Sequence, residues 1–149
     1  MNISAPQVRL ASAEDFAQVA ALLAELGRPL VTPEIAEAAK AVYARHIARP
    51  DTASLVAGVQ GKIVGFMSLE YRERLNCVQK QAWIPDLVVT ESARGLGAGR
   101  ALLERGFRLA RDFGCDRVTL ESGYTRTVAH QVYLACGMSN DGYFFTLHL

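Results

Sequence analysis

Cysteine is scarce in this chain, and the little present forms no pattern. Cys77, Cys115 and Cys136 are odd in number and widely separated. They offer no metal-type spacing and read as reduced thiols in a cytoplasmic protein, so no metal site is expected. Net charge is lacking too: 16 Lys and Arg against 15 Asp and Glu leave +1. That balance argues against a broad nucleic-acid or anionic-membrane surface. No apolar run approaches the roughly 20 residues of a membrane span. No basic segment followed by an apolar stretch predicts a secretory signal. Repeats, low-complexity tracts and linkers are missing as well. What remains is a chain of 149 residues, half of them apolar, which predicts a single folded domain over 1–149 with a sizeable core.

Periodicity then orders the elements. Residues 8–10 read as a short first strand. Ser12 is a good N-cap with Asp15 three residues on, and Phe16, Val19, Leu22, Leu23 and Leu26 follow at helical spacing up to Gly27. A second helix is expected with Thr32 as cap and Pro33 at its first position, stopping near Arg49-Pro50. Residues 54–59 and 62–71 are strand-like runs around Gln60-Gly61, a hairpin turn. Residues 72–80 are a polar loop, and 81–89 a fourth strand. Leu102, Leu103, Leu109, Ala110 and Phe113 mark the buried face of a helix beginning near Ala101. Residues 117–121 form a fifth strand, 127–136 a helix closed by Gly137, and 143–149 a terminal strand. The order β-α-α-β-β-β-α-β-α-β predicts an α/β fold, a mixed sheet with helices on both faces.

The most informative stretch is 86–100. A β-branched run ends, a turn follows, and then come Arg94 and three alternating glycines, Gly95, Gly97 and Gly99, ahead of an amphipathic helix. Glycines let the backbone approach a ligand closely. Unpaired N–H groups and the positive dipole end of a helix favour an anion, and an arginine supplies a fork suited to phosphate oxygens. A Walker A loop is excluded, because no Lys-Ser or Lys-Thr pair follows the last glycine. The spacing also misses the dinucleotide fingerprint, whose third glycine would fall on Arg100; a nucleotide-dependent oxidoreductase is disfavoured.

Arg94-x-x-Gly97-x-Gly99 resembles the Arg/Gln-x-x-Gly-x-Gly/Ala signature of the GCN5-related N-acetyltransferases. Downstream, Arg126, Ala129, His130, Tyr133 and Gly137 are similar to that family's second signature, with Met138 in place of its final aromatic residue. The resemblance is strong across 84–138. It implies a mostly antiparallel sheet with splayed central strands and a bulge on the fourth strand. It also implies that Arg94, Gly95, Leu96, Gly97, Ala98, Gly99 and Arg100 hold the pyrophosphate of acetyl-CoA, with Arg126 nearby. Backbone groups of Leu87, Val88 and Val89 are then expected along the pantetheine arm and the thioester carbonyl.

Direct transfer from a thioester to an amine needs a neutral amine, a stabilised oxyanion and a proton for the departing thiolate. Tyr133 is the candidate acid, since a phenol with a pKa near ~10 stays protonated at neutral pH; a core tyrosine is its other reading. His130, one helical turn earlier, orients this segment or covers the sheet. Pro85 stands where many relatives carry a glutamate used as a base or water anchor. Asp86 is the nearest substitute, with Glu70 and Glu121 as others. The sequence therefore points to an acetyl-CoA-dependent N-acetyltransferase acting on a small-molecule amine, less readily on a peptide. The rival is a non-catalytic acyl-CoA-binding sensor. Neither nucleic acid nor membrane is expected as a partner, and a homodimer is left open.

Overall fold

The computed structural model describes residues 4–149. Its centre is a hairpin of β2 (Thr52–Val59) and β3 (Lys62–Arg72), turned through Gln60 and Gly61 with φ of 51° and 78°. Two positive φ values match the twist of the flanking strands, as in a type I′ turn. β1 (Gln7–Leu10) pairs antiparallel with the outer edge of β2. On the other side β3 pairs antiparallel with both β4 (Lys80–Ile84) and β5 (Leu87–Val89). β6 (Cys115–Leu120) then runs parallel to β4. The sheet is mixed and mostly antiparallel, as the sequence predicts.

Alternation along the strands splits the core in two. Val56, Phe66 and Val88 point to one face, where α1 (Phe16–Glu25) and α2 (Ala36–Ala48) bring Val19, Leu22 and Tyr43. Leu55, Met67, Leu69 and Ala82 point to the other, where α3 (Ala98–Asp112) brings Leu102, Leu103 and Ala110. α3 comes close because Gly106 has no side chain: a Cβ there would fall on Met67 Cε, which is itself fully buried. α4 (Thr127–Ala135) lies on the same side, with Val132 and Tyr133 packed on that cluster.

Three expectations need correction. The second helix starts at Ala36, not at Pro33, because residues 33–35 make a separate turn with Ile35 N–H donating to Thr32 O at 3.1 Å. The loop helix starts earlier than expected, at Ala98, directly after Gly97. Residues 143–149 form no strand, and no ladder includes them. No helix among the described residues is long and apolar enough to cross a membrane.

The first turn carries an electrostatic lock. Asp15 is buried, accepts the Ser12 backbone N–H at 2.8 Å, and takes two bonds from the Arg9 guanidinium at 2.7 and 2.9 Å. Arg9 above all holds the carboxyl at about 2, well below its ordinary 3.8. The lowered pKa means the stabilisation is complete above the unfolded value and drains away as pH falls towards 2. Since Arg9 is half exposed, the loss between pH 4.5 and pH 2 is about 1–2 kcal/mol. Urea unfolding at the two pH values should show it, and Asp15→Asn should flatten the difference.

Candidate functional site

The site is built where the fourth strand breaks. Ladder partners on β3 step by one residue between Glu70↔Trp83 and Met67↔Leu87, so Pro85 and Asp86 together oppose Ser68. This is a β-bulge. Pro85 has no N–H to give the ladder. The extra residue also resolves the problem of facing. Trp83 shares the face of Glu70, and after the bulge Asp86 shares the face of Ser68, whose hydroxyl donates to Asp86 Oδ2 at 3.0 Å.

Beyond the bulge the neighbouring strands part. β6 tracks β4 as far as Ile84↔Leu120, and β5 pairs with β3 alone. Ser68 N–H donates to Asp86 O at 3.0 Å, and Thr90 N–H donates to Val64 O at 2.8 Å. By alternation the Val88 backbone also turns to β3, while Leu87 and Val89 present their N–H and C=O groups to the open side. Sequence reasoning put all three along a ligand. The structure divides them: Leu87 and Val89 line the slot, and Val88 is buried beneath α1.

The slot leads to the glycine loop. Residues Glu91–Ala93 form one 3₁₀ turn, and Arg94 continues extended. Gly97 caps α3 in the left-handed region at φ 87°, a conformation that L side chains avoid. Ala101 N–H is bonded to Gly97 O at 3.0 Å, so the N–H groups at the start of α3 have no intrahelical acceptor. Gly99 lies against Val89, tying the loop to the slot wall. The exposed Arg94 Nε donates a long bond of 3.4 Å to Val89 O. Arg100 is engaged elsewhere, paired with Glu104 at 2.8 Å one turn along the helix. The loop fits a pyrophosphate, since unpaired donors, the helix dipole and Arg94 converge there.

α1 closes one end of this region. Glu25 accepts Thr90 Oγ1–H at 2.9 Å and Glu91 N–H at 3.3 Å. Arg126, at the start of α4, donates to Leu26 O at 2.8 Å. Arg28 clasps the bulge, with Nε on Asp86 Oδ1 at 2.8 Å and Nη2 on Pro85 O at 2.9 Å. Asp86 thus has both oxygens occupied.

Tyr133 is half-buried on α4. Burial raises its pKa above the ordinary phenol value, with the Ser122 hydroxyl working the other way. His130 Nε2 lies 3.1 Å from the same Ser122 Oγ, so both side chains of the second signature meet the loop after β6. Burial likewise raises the thiols of Cys115 and Cys136, keeping them protonated.

Sequence reasoning missed a polar platform on the α1–α2 face of the sheet. Arg72 stacks over Trp83 at 3.5 Å, Trp83 Nε1–H donates to Glu121 Oε2 at 2.6 Å, and Arg72 Nε lies 3.8 Å from Glu70 Oε2. Period-two alternation from Glu70 and Trp83 was the available signal. Glu70 also borders an open hollow of about 590 Å³ beside Val42, Arg45, His46 and Arg49 at the end of α2. His46 Nε2 is buried there with no hydrogen-bond partner among the described residues, and burial lowers its pKa.

The acetyltransferase (GNAT) family model matches residues 19–138, which include the bulge, the slot, the loop and Tyr133. The chain belongs to this family. It is an acetyltransferase with the family's acyl-CoA fold. It is 29% identical to the aminoalkylphosphonate N-acetyltransferase of Salmonella typhimurium over 94% of this chain and 89% of the relative. An acetyltransferase structure from Trypanosoma brucei is 26% identical with a TM-score of 0.80, covering 97% of this chain and 99% of that one. The aminoglycoside N-acetyltransferase AAC(6')-Iy, solved with CoA, shares the fold at 18% identity and a TM-score of 0.82, over 100% and 97% of the two chains.

Gly97→Val puts a β-branched side chain at φ 87°, where no atom crowds it but the backbone resists. Strain of about 1–3 kcal/mol must be relieved by moving the loop. CoA affinity measured by calorimetry should fall by roughly 10–100-fold, while the far-ultraviolet spectrum is unchanged. Wild-type affinity in that variant would remove the loop from the site.

Proposed function

We propose that this acetyltransferase moves an acetyl group from acetyl-CoA to the amine of a small molecule, by direct attack of the amine on the thioester. The observation that carries this reading is the continuous path from the bulge, along the open edge of β5, to the N-terminus of α3. Acetyl-CoA, when bound, supplies the activated thioester. Arg94 and the N–H groups from Gly95 to Arg100 would hold its pyrophosphate, with Arg126 near the same mouth. The Leu87 and Val89 backbones would hold the pantetheine arm and polarise the acyl carbonyl, a role in which fixed N–H donors are worth most.

Tyr133 is the proton donor of this reading. Its raised pKa keeps the hydroxyl protonated at every pH where an aliphatic amine begins to lose its own proton. Turnover should therefore climb with pH as the acceptor deprotonates, with no falling limb below about pH 10. Tyr133→Phe should lower turnover by about 10²–10⁴-fold with CoA affinity retained. A variant of near wild-type turnover would make Tyr133 a packing residue.

The acceptor class follows from the platform. Arg72 already covers one face of Trp83 and lies beside Glu70, so the chemistry suited to a cationic amine there is the Glu121 carboxylate, held beside the ring by Trp83 Nε1–H. The relative that acts on aminoalkylphosphonates supports a small amine, and the three unpaired thiols suit a reducing cytoplasm. Thiol release from acetyl-CoA across a panel of aminophosphonates, amino sugars, polyamines and peptides tests this. Turnover confined to peptides would overturn it.

Asp86 enters as a positioning residue, because Arg28 and Ser68 already occupy its oxygens. Asp86→Asn should lower turnover by up to about 10²-fold through misplacement of the bulge, while the pH–rate profile stays where the amine puts it. A profile displaced by the substitution would assign proton transfer to Asp86 instead.

A further inference from the structure

Arg72, the last residue of β3, has a guanidinium that is held in place but makes no hydrogen bond among the described residues. It lies 3.5 Å over the Trp83 ring, and stacking fixes its plane. The ring is itself anchored, with Nε1–H donating to Glu121 Oε2 at 2.6 Å. Glu70 stands beside the guanidinium, but its Oε2 is 3.8 Å from Nε, beyond hydrogen-bond length. The neighbouring arginines differ. Arg49 is closed on Asp51 by two bonds of 3.0 and 2.9 Å, and Arg74 donates to Gln81 at 3.3 Å. Arg72 is therefore an oriented fork of N–H donors, part-exposed and without an acceptor.

The fork stands between two open regions. Towards the slot lie Trp83, just before the bulge, and Glu121, just after β6. Away from it, Glu70 borders the hollow of about 590 Å³ at the end of α2, a size that holds a small molecule. Arg45 lines that hollow and forms no ion pair among the described residues. His46 Nε2, buried at the same place, lacks a hydrogen-bond partner among them as well. Buried polar atoms of that kind call for a polar ligand or its water. The charges also run in order. β4 pairs with β3 on one side and β6 on the other, which sets the Arg72 and Glu121 strands about 10 Å apart with Trp83 between them.

We propose that Arg72 recognises an oxyanion at the far end of the acceptor, so that the amine acetylated here belongs to a short zwitterion bearing a phosphonate, phosphate or carboxylate. The inference rests on the transfer to a small-molecule amine argued above, and names which small molecules qualify. The amine end lies by Glu121 on the slot side, and the acidic end on the Arg72 fork at the mouth of the hollow. A planar guanidinium meets two oxygens of such a group at once, which a neutral hydroxyl cannot match and an ammonium would be repelled by. Glu70 opposes an anion there, but it does not occupy the fork, and Arg45 adds a second cation across the hollow. Trp83 and Glu121 act on this end only through Arg72, by holding its plane.

Steady-state kinetics at saturating acetyl-CoA should compare aminopropylphosphonate and aminobutyrate with the uncharged analogue aminobutanol. For the preferred anionic amine kcat/KM should exceed that for aminobutanol by roughly 10–100-fold, and the winner of the two identifies the oxyanion. Arg72→Gln should erase that preference through KM, with kcat for the anionic amine within about threefold of wild type. Arg72→Lys keeps the charge without the fork and should recover only part of it. Binding is read separately: propylphosphonate and butyrate, which have no amine, are titrated calorimetrically into the CoA-saturated protein. At least one should bind the wild type and be lost in Arg72→Gln, whose CoA affinity and far-ultraviolet spectrum report that it is folded. Aminobutanol used as well as both anionic amines, or a preference that Arg72→Gln leaves intact, would overturn the proposal and leave acetyl transfer standing. An amine-free anion held through Arg72 with no amine acetylated would keep the oxyanion site and overturn the small-molecule reading instead.

Discussion

Everything distinctive in this molecule depends on one extra residue in the fourth strand. Strand β3 is continuous from Lys62 to Arg72, and the partner strand on its β4–β5 side gains a residue against it at Pro85–Asp86. Without that insertion β6 could follow the fourth strand along its whole length. The edge carrying the Leu87 and Val89 amides would then be spent on a ladder. With it, those amides face an opening. Backbone donors held by a sheet need no reorganisation to meet a carbonyl, so the fold converts a pairing defect into a preorganised electrostatic surface.

A bulge is a weak point unless it is tied, and α1 supplies the ties. Arg28 grips Pro85 and Asp86 from outside, Ser68 holds Asp86 from beneath, and Glu25 fastens Thr90 and Glu91 where the loop begins. Arg126 joins the same helix end to α4. Exposed ion pairs taken singly contribute little. Here their value is geometric: five hydrogen bonds, made by Glu25, Leu26 and Arg28, converge on the end of α1 and the turn after it, fixing the slot relative to the glycine loop. Both oxygens of Asp86, the nearest carboxylate to the bulge in sequence, are held by these ties.

The elements and the loop were legible because their signals are local. Gln60-Gly61 states a hairpin, Ser12 and Asp15 state a helix start, and Gly97 followed by an amphipathic run states a helix N-terminus. The bulge was legible through resemblance, supported by Pro85. The platform was not, since Arg72, Trp83 and Glu121 meet only once three strands are in register. Nor were the Arg28–Asp86 pair, 58 residues apart in sequence, or the Arg126–Leu26 bond, 100 apart. The start of α2 was misjudged because Pro33 suits the first turn of a helix and also suits the isolated turn that the chain makes.

The terminal strand failed for a different reason. Alternation reports that a segment can be a strand, and the β-propensity of Tyr143, Phe144 and Phe145 agrees with it. Neither property says whose edge it joins. A strand is a relation between two segments, and periodicity in one chain cannot distinguish a neighbour within that chain from the same edge in another copy. The sheet's two ends make the contrast. At one end β1 is four residues long and carries Arg9, occupied with Asp15, a short edge with a charge on it. At the other, β6 ends in Val-Thr-Leu, and among the described residues no strand pairs with its outer side. Short, charged edges resist further pairing and apolar ones invite it, so the two ends of the sheet differ in what they would accept.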